Sequence, residues 1–229
     1  MNILAIDCAV SRLCIALKFD DKLISETLDI GMRQSEMLVP TIDEIMKKMG
    51  CTASQLDATA LTVGPGSFTG LRLGISALKA IELAFGVPVY GISSLECYSH
   101  AFNAWNIPVL SCIDANKDKF YASVVNGDEV ILKEDDWETS KIADAVKNLE
   151  KVIITGPDAK KLQGILEAEN TKTQFFTANG RFDTAELLIS ITENMIEQKK
   201  EPLKDFDGPV YLRASEAELK LGTAAGGQC

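Results

Sequence analysis

Few side chains in this sequence have the type and spacing that catalysis needs. His100 is the single histidine among the 229 residues, so a metal site built from two or three imidazoles cannot form. The six cysteines are scattered without a Cys-x-x-Cys pair. Cys97 precedes His100 by three residues, which on a helix would bring both side chains to one face and allow a thiolate–imidazole dyad. A structural role for both is the favoured interpretation, and we assign no catalytic or metal-binding residue.

Two aspartates and one glycine-rich turn have the composition of a nucleotide site. Asp7 and Asp114 each follow a strand-like apolar run, where two carboxylates could share a magnesium ion across a cleft. The turn Gly64-Pro65-Gly66 separates a predicted strand from a predicted helix, a place where free N–H groups can attract phosphate. It lacks the Lys-Ser/Thr ending of a P-loop. We therefore interpret Asp7, Gly64, Gly66 and Asp114 as a vestigial nucleotide or phosphate loop at most, with capping and close packing as the favoured alternative.

A repeated order of strands and helices has to position these residues. Periodicity predicts three strands, a helix, a strand, a helix and a strand in the first half, at residues 3–6, 13–19, 23–30, 35–49, 58–63, 69–85 and 87–92. A similar order follows, with strands at 109–113, 120–125, 130–133, 152–155 and 174–177 and helices at 140–149, 159–166 and 184–200. The acidic run 134–138 is interpreted as a solvated turn.

The two halves also echo each other residue by residue. Asp7 and Asp114 both end the first strand of a half, and a Gly-Pro pair follows a later strand at 64–65 and again at 156–157. We predict an α/β protein with two ribonuclease-H-like lobes, an organisation that resembles the sugar kinase, Hsp70 and actin (ASKHA) superfamily.

The expected lobes are residues 1–104 and residues 105–202. Residues 203–221 are expected to pack back onto the first lobe, and the small residues of 222–229 are expected to form a flexible tail.

Composition narrows the partners and the compartment. The chain has 33 acidic against 23 basic residues, a net charge of -10 that should repel nucleic acid from the isolated chain. No apolar run approaches the ~18 residues of a membrane span. The first ten residues carry no basic leader pattern, and the scattered cysteines without a Cys-x-x-Cys motif suit a reducing compartment. We expect a cytoplasmic protein.

The helix predicted at 69–85 is apolar around most of its circumference. One stripe contains Leu71, Ile75, Leu78 and Phe85, and a second contains Leu73, Ala77, Ala80 and Ala84. Such a helix must be buried on more than one side, either deep inside the chain or against a partner.

The segment 64–74, GPGSFTGLRLG, resembles the signature of the TsaB family of bacterial tRNA threonylcarbamoyladenosine proteins. Further pieces match at Ile6-Asp7, at Ser35-Glu36 with Leu38 and Pro40, at Asp114-Ala115 and at residues 209–213, so the resemblance spans nearly the whole chain. The chain departs from the family pattern at Cys8, Ala9, Gln34 and Asn116.

The resemblance implies an accessory, non-catalytic subunit. Such a subunit would bind a TsaD-type transferase and activate it, work with a TsaE-type ATPase, reach tRNA only through the complex and form a homodimer when alone. The predicted partner-binding positions are Leu38, Ile42, Ile45, Leu71, Ile75 and Leu78. ATP, ADP and metal are expected on the TsaD-type partner, because Gln34 and Leu38 stand where that family has its His-x-x-x-His pair.

Two enzymatic alternatives remain for comparison. A kinase-like ATP-binding phosphotransferase or ATPase would use the interlobe cleft, but would need a phosphate-gripping loop where this chain has Cys8-Ala9-Val10. A metalloprotease would need metal-binding side chains that this sequence does not provide.

Overall fold

The computed structural model describes residues 1–169, 172–178 and 184–213, and within these residues two five-stranded sheets are covered by six helices. The first sheet has the order β3-β2-β1-β4-β5, in which β1 to β3 form an antiparallel meander and β4 and β5 run parallel to β1. Its elements are β1 (Ile3–Asp7), β2 (Arg12–Phe19), β3 (Lys22–Asp29), α1 (Gln34–Met49), β4 (Ala58–Gly64), α2 (Phe68–Phe85), β5 (Val89–Ser93) and α3 (Ser94–His100).

The second sheet repeats this topology. Its order, β10-β9-β6-β7-β8, is that of the first sheet read from the other edge, with an antiparallel meander followed by two parallel strands. Its elements are β6 (Val109–Asn116), β7 (Lys119–Asn126), β8 (Glu129–Glu138), α4 (Thr139–Val146), β9 (Lys151–Thr155), α5 (Ala159–Glu169), β10 (Gln174–Thr177) and α6 (Thr184–Glu197). The predicted duplicated, two-lobed α/β fold is confirmed.

Helices cover both faces of the first sheet. α1 and α2 pack on one face, where Leu38, Ile45 and Leu78 join the strands in one apolar core. α6 packs on the other face, against β1, β2 and β4. The predicted lobe boundaries group α6 with residues 105–202, whereas in space it covers the first sheet.

The second sheet has its own core, built with α4 and α5. α3 comes from the first half but contacts β6 and β7 of the second sheet. The two halves therefore exchange helices across the space between the sheets, so each sheet depends on the other half of the chain.

The acidic run 134–138 is strand, not turn, and the turn interpretation is wrong. β8 continues through Glu138, with Trp137 paired opposite Phe120 of β7. Glu134 accepts a hydrogen bond from Ser93, and Asp136 forms an ion pair with Arg213. Because these carboxylates have partners, the strand can continue through a run of like charges.

Residues 203–213 form a segment that we call the C-terminal strap, and it lies across the first lobe. The N–H of Leu203 donates to the carbonyl of Val89 at 2.7 Å, and the N–H of Val210 donates to that of Val63 at 2.8 Å. The predicted packing of 214–221 and the predicted flexible tail 222–229 lie outside the described residues. No helix in the described ranges is long and apolar enough to cross a membrane.

Candidate functional site

Asp7 lies at the end of β1 and is 2% exposed. Its Oδ1 accepts hydrogen bonds from the N–H of Ala9 at 2.8 Å and the hydroxyl of Thr62 at 2.7 Å. Its Oδ2 accepts one from the hydroxyl of Thr184 at 2.6 Å, at the first residue of α6. The carboxylate therefore joins the first strand to the last helix, which is a structural role.

The glycine turn before α2 is filled by the chain itself. The N–H of Ser67 donates to the carbonyl of Ala9 at 2.7 Å, and the N–H of Gly70 donates to the Ser67 hydroxyl at 3.2 Å. A Cβ at Gly66 would overlap the carbonyl oxygen of Ala9, and one at Gly64 would overlap that of Val210. These glycines permit close backbone contact, and the N–H groups of Ser67 and Gly70, which could have bound a phosphate, already have acceptors.

Gln34 and Leu38 do not form a metal site. The amide nitrogen of Gln34 donates to the carbonyls of Val10 at 2.5 Å and Arg12 at 2.9 Å, while Leu38 is fully buried in the first core. Within the described residues, no group of three His, Cys, Asp or Glu side chains could hold a metal ion. The residues at these two positions therefore do not fit the metal of TsaD-type proteins.

The loop after β1 enters the interlobe space with an apolar side chain. Val10 packs against a small cluster between the lobes, whose other members are Leu95, Tyr98, Ile113 and Tyr121. A phosphate-binding loop would need polar or glycine residues here. The side chains that meet at this point are mostly apolar.

Asp114 is engaged by groups of its own lobe. Its carboxylate accepts from Lys161 Nζ at 2.5 Å and from the N–H of Asn116 at 2.9 Å, and its own N–H donates to Asp158 at 2.8 Å. Partial burial raises the pKa of Asp114, but the hydrogen bonds from Lys161 and Asn116 outweigh it and the net shift is downward. A magnesium ion shared with Asp7 would have to displace both sets of partners.

Cys97 and His100 do not form a dyad. The thiol of Cys97 donates to the carbonyl of Thr184 at 3.5 Å inside the core, whereas the ring of His100 lies 3.4 Å from the amide of Asn103. Burial lowers the pKa of His100, partly opposed by Glu96.

The six predicted partner-binding residues are mostly core. Five of them are buried: the exposed fraction is at most 1% for Leu38, Ile45, Leu71 and Leu78 and is 8% for Ile42. These side chains form the faces of α1 and α2 that pack on the first sheet. Of the six, Ile75 alone is half-buried. As they stand in this structure, the five buried residues cannot contact a partner.

The second stripe of α2 lies beside the packed face and is only partly covered, since Leu73 and Ala77 still contact the first core. Ala80 and Ala84 are exposed, Leu73 and Ala77 are half-buried, and Leu83 beside them is 90% exposed. The sequence signal for this surface was present in the double stripe, but periodicity cannot tell which stripe faces inward.

α1 adds one side to this surface. Lys48 forms an ion pair with Glu26 on β3 at 2.7 Å, so the opposite side of α1, which carries Val39 and Met46, is turned toward α2. Val39 is 62% exposed. We define the outer face as Val39, Met46, Leu73, Ala77, Ala80 and Leu83, of which Met46, Leu73 and Ala77 are half-buried and also pack against the first core.

Comparison with known proteins agrees with these features. The family model described as "TsaD: tRNA N6-adenosine threonylcarbamoyltransferase" matches residues 31–209. The tRNA threonylcarbamoyladenosine biosynthesis protein TsaB of Escherichia coli K12 is 31% identical, with 96% of this chain and 98% of that protein covered. TsaB of Bacillus subtilis 168 is 25% identical, with 96% and 97% covered.

Solved structures give the same fold. A Pseudomonas aeruginosa protein described as similar to peptidase YEAZ superposes with a TM-score of 0.74 at 22% identity, covering 93% of this chain and 99% of that one. YeaZ from the same organism gives a TM-score of 0.72 at 21% identity, covering 92% and 99%. The sequence match across almost the full length of both chains confirms the resemblance, and this chain belongs to the TsaB family.

Proposed function

We propose that this chain is an accessory, non-catalytic subunit that binds and activates a TsaD-type transferase. The complex would make N6-threonylcarbamoyladenosine next to the anticodon of tRNAs that read ANN codons. The relatives named for threonylcarbamoyladenosine biosynthesis and the matching transferase family model support this pathway.

The observation that carries the proposal is the outer face of α1 and α2. α2 presents Ala77, Ala80 and Ala84 in successive turns, and small side chains let another helix approach closely. The inner sides of both helices are already committed to the first core. A helical surface of the partner would cover this face, and in isolation a second copy of the chain would do so.

The contacts around the loop after β1 support the non-catalytic part of the proposal. Asp7 is hydrogen-bonded to Thr184 at the start of α6, Val10 packs in an apolar cluster between the lobes and Gln34 holds the loop after β1. ATP, ADP and metal would then be bound by the TsaD-type partner, a TsaE-type ATPase would complete the complex, and tRNA would be reached only through it.

The experiment places a large charged side chain on the outer face. Ala80 is exposed, so Ala80→Arg leaves the core intact, and we expect it to weaken binding of the TsaD-type partner at least about tenfold, or about 1.4 kcal/mol. Ala168→Arg on α5, also exposed and helical, is the matched control. Calorimetric titration with the purified partner decides: equal affinity of the Ala80→Arg variant and the wild type would overturn the proposal.

The kinase-like alternative makes a different prediction. Micromolar Mg-ATP binding with turnover by the isolated chain would favour a phosphotransferase or ATPase. We expect neither, because the loop after β1 carries the apolar Val10, and the N–H groups of Ser67 and Gly70 in the glycine turn already have acceptors.

A further inference from the structure

The C-terminal strap contacts both lobes. At its start, the carbonyl of Leu203 accepts from Lys79 Nζ on α2 at 3.2 Å, and the Leu203 side chain lies over Gly91 of β5. The strap then passes over the glycine turn, where the carbonyl of Val210 packs so closely on Gly64 that no Cβ would fit.

Aromatic and cationic contacts attach the strap to the beginning of α2. The ring of Tyr211 stacks on Phe68 with centroids 4.4 Å apart, and its hydroxyl accepts from Arg72 Nε at 2.8 Å. Tyr211 is 37% exposed, and Arg72 is exposed as well. Phe68 begins α2 and Arg72 directly precedes Leu73, so the strap contacts α2 next to the N-terminal end of the outer face.

At its far end the strap is bound to the second lobe. Arg213 Nε donates to Asp136 Oδ2 at 2.9 Å and Nη2 donates to Oδ1 at 3.0 Å, which is a bidentate pair. Nη1 donates to the carbonyl of Ala115 at 2.8 Å, at the end of β6. The side chains are 27% and 12% exposed, so this pair is shielded from solvent more than an ordinary surface ion pair.

We propose that Arg213 and Asp136 form a latch that holds the strap closed across the two lobes and keeps the N-terminal end of the outer face in its binding shape. The strap donates backbone N–H groups to first-lobe carbonyls at Leu203 and Val210, seven positions apart, and near its start Lys79 also donates to the carbonyls of Leu203 and Lys204. Between Val210 and the latch, Tyr211 holds the strap to α2 through its stack on Phe68 and the hydrogen bond from Arg72. Opening the latch therefore releases Val210 and Tyr211 first, while Leu203 stays bound.

The first test uses hydrogen exchange on the isolated full-length protein. Arg213→Ala and Asp136→Asn should each speed exchange of the Val210 amide at least about tenfold, since each removes a charge-assisted bidentate pair. The Leu203 amide should change much less. Arg213→Lys, which keeps the charge but loses the bidentate geometry, should give an intermediate rate.

Asp128→Asn in the exposed β7–β8 turn is the matched control and should leave both amides unchanged. Unchanged exchange at Val210 in Arg213→Ala would overturn the latch. Equal acceleration at Leu203 and Val210 would overturn it too, because the substitution would then have loosened the whole lobe.

The effect of the latch on docking rests on the proposed function and is measured separately. Arg213→Ala should weaken binding of the TsaD-type partner several-fold, less than Ala80→Arg does. If Ala80→Arg weakens binding and Arg213→Ala does not, the coupling between latch and outer face is wrong although the proposed function stands. If neither variant weakens binding of the TsaD-type partner, the proposed function fails, and the hydrogen-exchange rates still decide whether the latch exists.

Discussion

Both carboxylate oxygens of Asp7 accept hydrogen bonds from the chain itself. The donors come from the loop after β1, from β4 and from the start of α6, so three segments far apart in sequence meet at one side chain. A buried carboxylate is tolerated because both of its oxygens accept hydrogen bonds. A metal ion would have to compete with these donors, which explains how an aspartate in a position suited to catalysis becomes part of the scaffold.

Glu134 is the opposite case, a carboxylate whose burial is only partly compensated. Burial raises its pKa above the ordinary value of 4.5; the hydrogen bond from Ser93 opposes the shift, and Glu96 adds to it. The Ser93 hydroxyl that donates to Glu134 also caps α3 by accepting from the N–H groups of Leu95 and Glu96. Glu134 thus links the second sheet to the helix that crosses from the first half.

This raised pKa predicts how Glu134 contributes to the pH dependence of stability. The folded state binds the Glu134 proton more tightly than the unfolded state does, so the contribution of Glu134 to the free energy of unfolding should rise as pH falls from neutral toward 4.5, and it is measured as the difference between the wild type and a variant that cannot ionise. Glu134→Gln cannot ionise and still offers Ser93 an acceptor. At pH 7 it should be more stable than wild type, by less than about 1 kcal/mol because the site retains part of its solvent.

Urea unfolding at several pH values between 4.5 and 7 checks this prediction. The control is Glu129→Gln at the exposed start of β8, which should keep the wild-type profile. A Glu134→Gln variant that is less stable at pH 7 would mean that the charged form is the one the fold prefers.

Among the elements, α2 contains two glycines four residues apart, and the space around them differs. A Cβ at Gly70 would overlap the backbone carbonyl of Cys8 and come 3.0 Å from the Gln34 side-chain oxygen, whereas a Cβ at Gly74 would meet Leu61 at an ordinary 3.5 Å. Gly70 therefore sets how closely the loop after β1 approaches the helix. Gly74 occupies a position where alanine fits.

The two glycines should therefore respond oppositely to alanine. Gly70→Ala should destabilise by about 1–3 kcal/mol or more, since backbone rather than a movable side chain must shift. Gly74→Ala should be neutral or stabilising by up to about 1 kcal/mol, because alanine is the better helix former. Chemical denaturation of both variants is the measurement, and a similar loss in both would show that the close contact at Gly70 is not what the fold requires.

Local patterns predicted most elements because each strand or helix has its own periodicity. The helix at α1 was predicted within one residue, with Gly50 ending it in the left-handed conformation at φ 68. The inward stripe of α2 could not be chosen from sequence, since both stripes are apolar and only the packing on β4 and α1 distinguishes them. The strand predicted at 130–133 is shorter than β8 for a related reason. The residues that pair with the carboxylates of Glu134 and Asp136 are 41 and 77 positions away in sequence, so a local pattern does not reveal them.

At the scale of the molecule, the duplication is not a pair of independent domains. α6 provides Leu188, Ile189 and Ile191 to the face of the first sheet that contains Ile3, Tyr90 and Ile92. α3 in turn bridges the two sheets: Cys97 packs in the same core as α6, while Leu95 and Tyr98 pack with Ile113 of the second sheet. Each half therefore carries part of the other half's core, which should make the chain unfold as one unit.

Residues 1–104 alone should consequently fail to fold cooperatively. Without α6, one face of the first sheet exposes its apolar side chains, and burial of each of Leu188, Ile189 and Ile191 is worth about 1.5–3 kcal/mol, a sum comparable with the roughly 5–15 kcal/mol that stabilises a whole domain. Joining residues 184–200 to this fragment through a flexible linker should restore a cooperative transition, and the same fusion with Leu188→Asp and Ile191→Asp should not.

In the full chain, urea transitions followed by far-UV circular dichroism and by the fluorescence of Trp105 and Trp137 should coincide. A fragment 1–104 that melts cooperatively, or two separated transitions in the full chain, would mean that the exchanged helices are not what binds the lobes together.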